Sequence, residues 1–201
     1  MNEKFFDLKK EKQDRMINAG LRIFALNGYR HASTDEIVRE AKISKGLLFH
    51  YFGSKAGYYA FLYDYSTRFA ILELTGEIRS GATDYFALQR ELLRVEDILM
   101  EQYPFLFLFL EAVRLEEDAE ALNILDEPDR NVPDYYHDLL AEADTSSYVH
   151  MDSKDQVSRM LHYIRIGIMR EVLADRTNPI SDYKKRMEQC LGEFEHMASA
   201  L

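Results

Sequence analysis

The sequence predicts an all-α protein: an N-terminal three-helix domain of helix-turn-helix type over residues 1–55, and a C-terminal helical domain over residues 56–201. Three observations predict this. Apolar residues recur at helical spacing in almost every segment. No strand-like alternation flanks an Asn-Gly or Asp-Gly turn, as a hairpin would require. The charge is also split along the chain. Residues 1–55 carry eleven Lys and Arg against seven Asp and Glu, and the remaining 146 residues carry fourteen against twenty-eight. The formal net charge of −10 therefore hides a basic part suited to an anion and an acidic part that repels one.

The first helix is expected from about Asp7 to Asn27. Ile17, Leu21 and Phe24 form its apolar stripe, and Gly28 stops it because Gly tolerates the left-handed cap. Ser33-Thr34-Asp35-Glu36 is a capping box that opens a short second helix, with Ile37 and Ala41 on its inner face. Lys42-Ile43-Ser44 is a turn, and Ser44 caps a third helix from Lys45 to about Phe52. Ser54 caps a long fourth helix running to about Arg79, closed by Ser80-Gly81. A helix from Asp84 ends at Tyr103-Pro104, because the residue before Pro avoids the helical region, and Pro104 opens the next helix to about Glu116. After a break at Asp126–Pro133 come a short helix over Asp134–Ala143 and two final helices, about Lys154–Arg176 and Ser181–Leu201.

Two short helices joined by a three-residue turn in a basic segment form a helix-turn-helix. At 100° per residue, Leu48 and Phe52 share the inner side of the third helix, while Gly46 and His50 point the opposite way. Lys45, Leu47 and Phe49 lie between. A merely solvated face would hold Glu, Lys and Gln. This one combines donors, exposed apolar groups and a Gly that admits another surface, which suits the major groove. Lys45 donates to guanine or phosphate, Leu47 and Phe49 meet thymine methyls, and His50 meets a base edge or phosphate. Thr34, Ser44, Tyr51 and Lys55, near helix N-termini or at the rim, suit the phosphate backbone. The competing reading makes Leu47 and Phe49 core residues of a tight bundle.

The run Ile17-x-Ala19-x-Leu21-x-x-Phe24, Gly28-Tyr29, Ser33-x-x-x-Ile37 and Ile43-Ser44-Lys45-Gly46-x-Leu48-x-x-Tyr51-Phe52-x-x-Lys55 resembles the DNA-binding domain of the tetracycline-repressor (TetR) family. The resemblance implies a homodimer whose N-terminal domains read an inverted-repeat DNA operator, and whose C-terminal domains bind a small-molecule effector and pair with each other. Three positions depart from the pattern. Lys42 stands where Gly is usual, Leu47 where a small or hydroxyl residue is common, and Phe49 where Tyr is common. The last two shift the readout toward apolar contacts.

The last two helices are rich in apolar residues. They either close the domain's own core or pair with a second copy, and the resemblance implies pairing. It also implies a pocket, for which the aromatic middle of the chain offers Phe61, Tyr65, Phe86, Tyr103, Phe107 and Tyr163, with Glu111, His162 and Arg165 as polar members. Each aromatic read alone is a core residue. An apolar effector fits such walls, and the acidic balance of the domain disfavours an anion.

Other classes fare worse. Glu193-x-x-His196 has the spacing of di-iron bundles but lacks a matching pair, since Asp134-x-x-His137 supplies the wrong acid, so no metal is expected. No nucleophile elbow, zinc-protease motif or phosphate-binding Gly loop is present, so neither an enzyme nor a cofactor is expected. The single cysteine, Cys190, cannot form an internal disulfide, and no apolar run approaches the length of a membrane span. These features point to a cytoplasmic protein. The alternative to a DNA-binding regulator is a helical small-molecule sensor or carrier that does not read DNA.

Overall fold

The computed structural model describes residues 3–78, 83–125, 131–151, 153–174 and 180–199. Within them a short 3-10 turn, Glu3–Phe5, precedes ten helices: α1 Lys10–His31, α2 Thr34–Ala41, α3 Lys45–Phe52, α4 Lys55–Glu77, α5 Tyr85–Gln102, α6 Leu106–Arg114, α7 Ala119–Ile124, α8 Val132–Ala141, α9 Lys154–Ala174 and α10 Ser181–Ala198. The described residues contain no strand, only one isolated bridge between Asp84 and Asp144. The protein is all-α, and no described helix is long and apolar enough to cross a membrane. The turns expected at Ser80-Gly81 and within 126–130 lie outside the described residues, as do the far ends of the helices expected to reach Arg79, Arg176 and Leu201.

Packing divides the chain into two compact units, Met1–Phe69 with Tyr103–Asp129, and Ala70–Gln102 with Arg130–Leu201. This division follows contacts, whereas the one at residue 55 follows charge. The first unit contains the basic segment together with α6 and α7.

In the first unit, Met16, Ile17, Leu21 and Phe24 of α1, Ile37 and Ala41 of α2, Leu48 of α3, and Tyr58 and Leu62 of α4 are fully buried. The periodicity that predicted these helices is the stripe they bury. α1 and α4 meet closely at Gly20, where a Cβ would lie 2.3 Å from the Tyr58 hydroxyl and 2.4 Å from a Leu62 methyl. The Tyr58 hydroxyl donates to the Met16 carbonyl in the same contact. Arg22 pairs with Glu40 at 2.6 Å, fixing α2 against α1.

The structure revises several boundaries. α1 starts at Lys10, and its regular helix breaks at Gly28 as expected, though a short further turn continues it. Gly28 takes φ 68°, ψ 173°, and one more turn follows to His31, closed by the Ala32 amide on the Gly28 carbonyl at 3.2 Å. Pro104 lies in a turn, and α6 starts two residues later because Phe105, at φ −95°, ψ 8°, is not yet helical. α7 was not expected; Asp118 caps it by accepting from the Glu120 and Ala121 amides at 3.0 and 3.3 Å.

The turn between α2 and α3 answers the question raised by Lys42. Its φ is 54° and ψ 50°, the only left-handed non-glycine among the described residues. The Ile43 amide reaches the Val38 carbonyl at 3.0 Å and the Lys42 amide the Arg39 carbonyl at 3.3 Å, the two bonds of a Schellman cap. A side chain in this region costs about 1–2 kcal/mol, and glycine's greater freedom when unfolded returns roughly half of that. Lys42→Gly is therefore expected to raise the unfolding free energy by about 0.5–1 kcal/mol in a urea titration. No change or a loss would show that Lys42 makes a compensating contact.

In the second unit α10 packs against α5 and α9. α9 buries Leu161, Arg165, Ile168, Met169 and Val172, one face at helical spacing. α10 buries Tyr183, Met187, Leu191 and Ala198. Arg90 of α5 reaches Glu195 of α10 at 2.5 Å, and Lys184 of α10 reaches Asp97 of α5 at 3.1 Å.

The buried polar residues of this unit form one network. Arg165 Nε lies 3.0 Å from Glu96 Oε2 as an ion pair without hydrogen-bond alignment. Tyr183 donates to Glu96 Oε2 at 2.6 Å and Tyr136 to Oε1 at 2.7 Å. Arg165 also reaches Gln89 Oε1 at 3.3 Å, and Gln89 donates to the Tyr85 hydroxyl at 3.1 Å. Burial disfavours the Arg165 cation, but Glu96, Tyr183 and Tyr136 together hold it more firmly protonated than usual. Burial beside Glu96 drives the Tyr136 and Tyr183 hydroxyls well above their ordinary range.

Candidate nucleic-acid interface

The site is built on three capped helix starts. Ser33, Ser44 and Ser54 accept from the amides of Glu36 at 3.4 Å, Leu47 at 3.2 Å and Gly57 at 3.0 Å. These caps fix where α2, α3 and α4 begin, and so where Thr34, Lys45 and Lys55, the first residue of each, stand. Each helix start presents free amides and the positive end of its dipole.

α3 divides in part as its spacing predicted, with Leu48 inside and Gly46 and His50 outside but Phe52 only half-buried. Leu48 is fully buried, and Phe52 packs at 4.7 Å against both Tyr58 and Phe61. Ser44, Lys45, Gly46 and His50 are exposed, while Leu47, Phe49 and Tyr51 are half-buried. Beyond its chain neighbours and its own helix backbone, no heavy atom lies within 4 Å of the position a Cβ would take at Gly46. The outer face of α3 is thus open at its Gly and flanked by the Leu47 and Phe49 side chains.

Two cations have partners that sequence reading missed. Lys45 Nζ lies 2.9 Å from Asp35 Oδ1 in the first turn of α2. Lys55 Nζ donates to the Arg30 carbonyl at 3.3 Å and lies 4.5 Å from the centre of the Tyr29 ring. Partial burial lowers the Lys55 pKa, and nearby Glu120, Asp118 and Glu116 oppose that shift. Neither partner leaves a signal at helical spacing, because each belongs to a different element from its lysine. Tyr51 packs edge-on against Phe5 at 5.9 Å and against His50 at 5.1 Å.

Phe5 was also missed. It is fully buried, with ring centres 5.3 Å from Phe52 and 5.0 Å from Phe61. Gln13 ties the same segment down by donating to the Phe6 and Leu8 carbonyls at 3.0 and 2.7 Å. The residues ahead of α1 therefore back the C-terminal half of α3.

The nine residues expected near a pocket divide between the two units, and in the first Phe61 stacks on Tyr65, whose ring meets that of Tyr103, each pair of centres 5.9 Å apart. Phe61, Tyr65, Tyr103, Phe107 and Glu111 belong to the first unit, and Phe86, His162, Tyr163 and Arg165 to the second. Phe61 packs edge-on against Phe5 at 5.0 Å. Tyr103 donates to Asp14 at 2.7 Å, accepts from Lys10 at 3.1 Å and lies 2.8 Å from the Tyr65 hydroxyl. Phe107 is buried, and Glu111 pairs with Arg114 at 2.6 Å. Phe86 packs between Tyr85 and Tyr148, and Arg165 belongs to the Glu96 network. His162 is half-buried with its ring 5.7 Å from that of Tyr163, which is 68% exposed. Among the described residues no group of three or more His, Cys, Asp or Glu is arranged to hold a metal ion.

A capped two-helix turn with an open recognition face, set on α1 and α4, defines a helix-turn-helix protein. Residues 16–59 match the family model of bacterial regulatory proteins, tetR family. The chain is 48% identical over 46 residues to YuxN, an HTH-type transcriptional regulator of Bacillus subtilis (strain 168), covering 23% of this chain and 16% of that protein. It is 40% identical over 48 residues to the HTH-type transcriptional regulator HbdR of Aromatoleum sp. (strain CIB), covering 24% of this chain and 21% of that one. These matches thus span only about a fifth or less of the relatives' own lengths. The fold extends further. A TetR family transcriptional regulator from Chloroflexus aurantiacus J-10-FL superposes with a TM-score of 0.64 at 21% identity, covering 99% of this chain and 98% of that one. Residues 16–59 are thus similar to the DNA-binding segment of tetR-family regulators, and along nearly its whole length the chain shares the fold of the Chloroflexus structure.

Proposed function

We propose that the protein is a ligand-responsive transcriptional repressor of the cytoplasm, which binds an inverted-repeat operator in double-stranded DNA as a homodimer and is released by a small apolar effector. The observation that carries the reading is the outer face of α3, where Lys45, Leu47, Phe49 and His50 surround the open position at Gly46. Residues 1–55 supply the DNA-binding part. Lys45, Leu47, Phe49 and His50 face the major groove, and Thr34, Ser44, Tyr51 and Lys55 meet phosphates. Lys45 exchanges Asp35 for DNA. Residues 56–201 supply the effector site and the contact between copies, for which α9 and α10 expose Met160, Tyr163 and Met197. A two-fold pair presents two α3 helices, which is why the half-sites are inverted.

The test is a pair of substitutions read by DNA binding across a salt series. Phosphate contacts add affinity without sequence information, and base-edge contacts discriminate by about 1–3 kcal/mol each. Lys55→Ala is expected to weaken binding to operator and random duplex alike and to reduce the salt slope by about one. Leu47→Ala is expected to leave the slope unchanged and relax preference at one or two base pairs of each selected half-site. Equal loss on all sequences for Leu47→Ala, with the fold intact, would refute the assignment of α3. Absence of duplex binding by the native protein would leave the sensor-or-carrier reading.

A further inference from the structure

The last turn of α1 is held by a residue far from it in sequence. Gly28 turns the chain and takes the Tyr29 amide out of the helical ladder. Glu116 Oε2 accepts that amide at 2.8 Å. Its other oxygen accepts from the Glu117 and Asp118 amides at 3.1 and 3.0 Å. One carboxylate thus joins the α1 kink to the turn before α7, both within the first packing unit. The Tyr29 ring is 2% exposed and packs on Tyr59 at 5.1 Å and Phe24 at 6.2 Å. Its remaining face takes the Lys55 ammonium at 4.5 Å, and the next residue, Arg30, supplies the carbonyl to which that ammonium donates. Lys55 is therefore placed by the turn Tyr29–His31, and that turn by Glu116.

We propose that Glu116 is a positioning residue for the DNA contact of Lys55, acting through Tyr29. This rests on the reading of Lys55 as a phosphate contact. Two physical effects give opposite signs here. A carboxylate near a phosphate-binding lysine repels DNA through space, so its removal strengthens binding if the field alone matters. If the carboxylate holds the lysine in place, its removal weakens binding.

The experiment measures binding of the full chain to a labelled random-sequence duplex, because phosphate contacts do not depend on sequence. Glu116→Ala is expected to weaken binding about threefold, near the low end of couplings within one contact network. Glu116→Gln keeps an acceptor at only one of the two places and gives a smaller loss of the same sign. In a Lys55→Ala background neither substitution changes binding further. Tighter or unchanged binding by both Glu116 variants would overturn the proposal. So would an equal loss with and without Lys55, which would place the effect on the fold. Where circular dichroism shows Glu116→Ala unfolded, the Gln variant decides by the same two criteria. If Lys55→Ala alone leaves binding and salt slope unchanged, the phosphate reading of Lys55 fails, and the role of Glu116 falls with it. That outcome is seen without altering Glu116.

Discussion

Arg165→Met is expected to lower the stability of the second packing unit by about 3–5 kcal/mol, the usual cost of leaving one member of a buried ion pair alone. Arg165 is 5% exposed and Glu96 fully buried, so the substitution leaves a carboxylate in the interior without its cation. The Tyr136 and Tyr183 hydroxyls still donate to Glu96, and they share the charge without neutralising it. Adding Glu96→Gln should return much of the loss, since the Gln oxygen keeps an acceptor for one tyrosine and the charge is gone. Urea unfolding followed by circular dichroism measures both variants. An Arg165→Met protein within about 1 kcal/mol of the native one would mean that water reaches Glu96 and screens it, as it does exposed pairs.

Phe5→Ala is expected to cost about 3 kcal/mol, at the lower end for a buried phenylalanine because the short segment ahead of α1 can undock without unfolding the rest. The loss should be local. Phe5 backs Tyr51 and Phe52, the last two residues of α3, so its removal should raise amide exchange over Glu3–Leu8 and the end of α3 while leaving α5, α9 and α10 protected. DNA affinity should fall with it. Uniform exchange changes across the chain, or none, would show that the segment does not brace the recognition helix.

Much of the first unit was legible because its signals are local. A serine just before a helical run can accept the amide three residues on, and Ser33, Ser44 and Ser54 all do so. The 100° step places Leu48 inside and Gly46 outside without reference to the rest of the chain. The turn at Lys42-Ile43-Ser44 was legible too, and it was the resemblance that marked position 42 as one where Gly is usual. α9 was less so. Its apolar residues run nearly all round, and only packing selects Leu161, Ile168, Met169 and Val172 for the interior and leaves Met160 and Tyr163 outside.

By itself, then, the sequence determined the all-α class, the helix-turn-helix, the face of α3 and the charge split. Each depends on residues within about one turn of one another, or on composition. Tertiary structure decided which cation meets which anion and which aromatic is core. Glu116 meets the Tyr29 amide across 87 residues, Tyr183 meets Glu96 across the same separation, and Tyr103 meets Asp14 across 89. Such pairs follow no period, because a hydrogen bond needs two groups about 3 Å apart in space and their separation along the chain is set by the path of the fold between them. For the same reason aromatic residues that look alike in sequence fare differently: Phe61, Tyr65 and Tyr103 join one continuous cluster with Phe5, while the ring of Tyr163 is exposed.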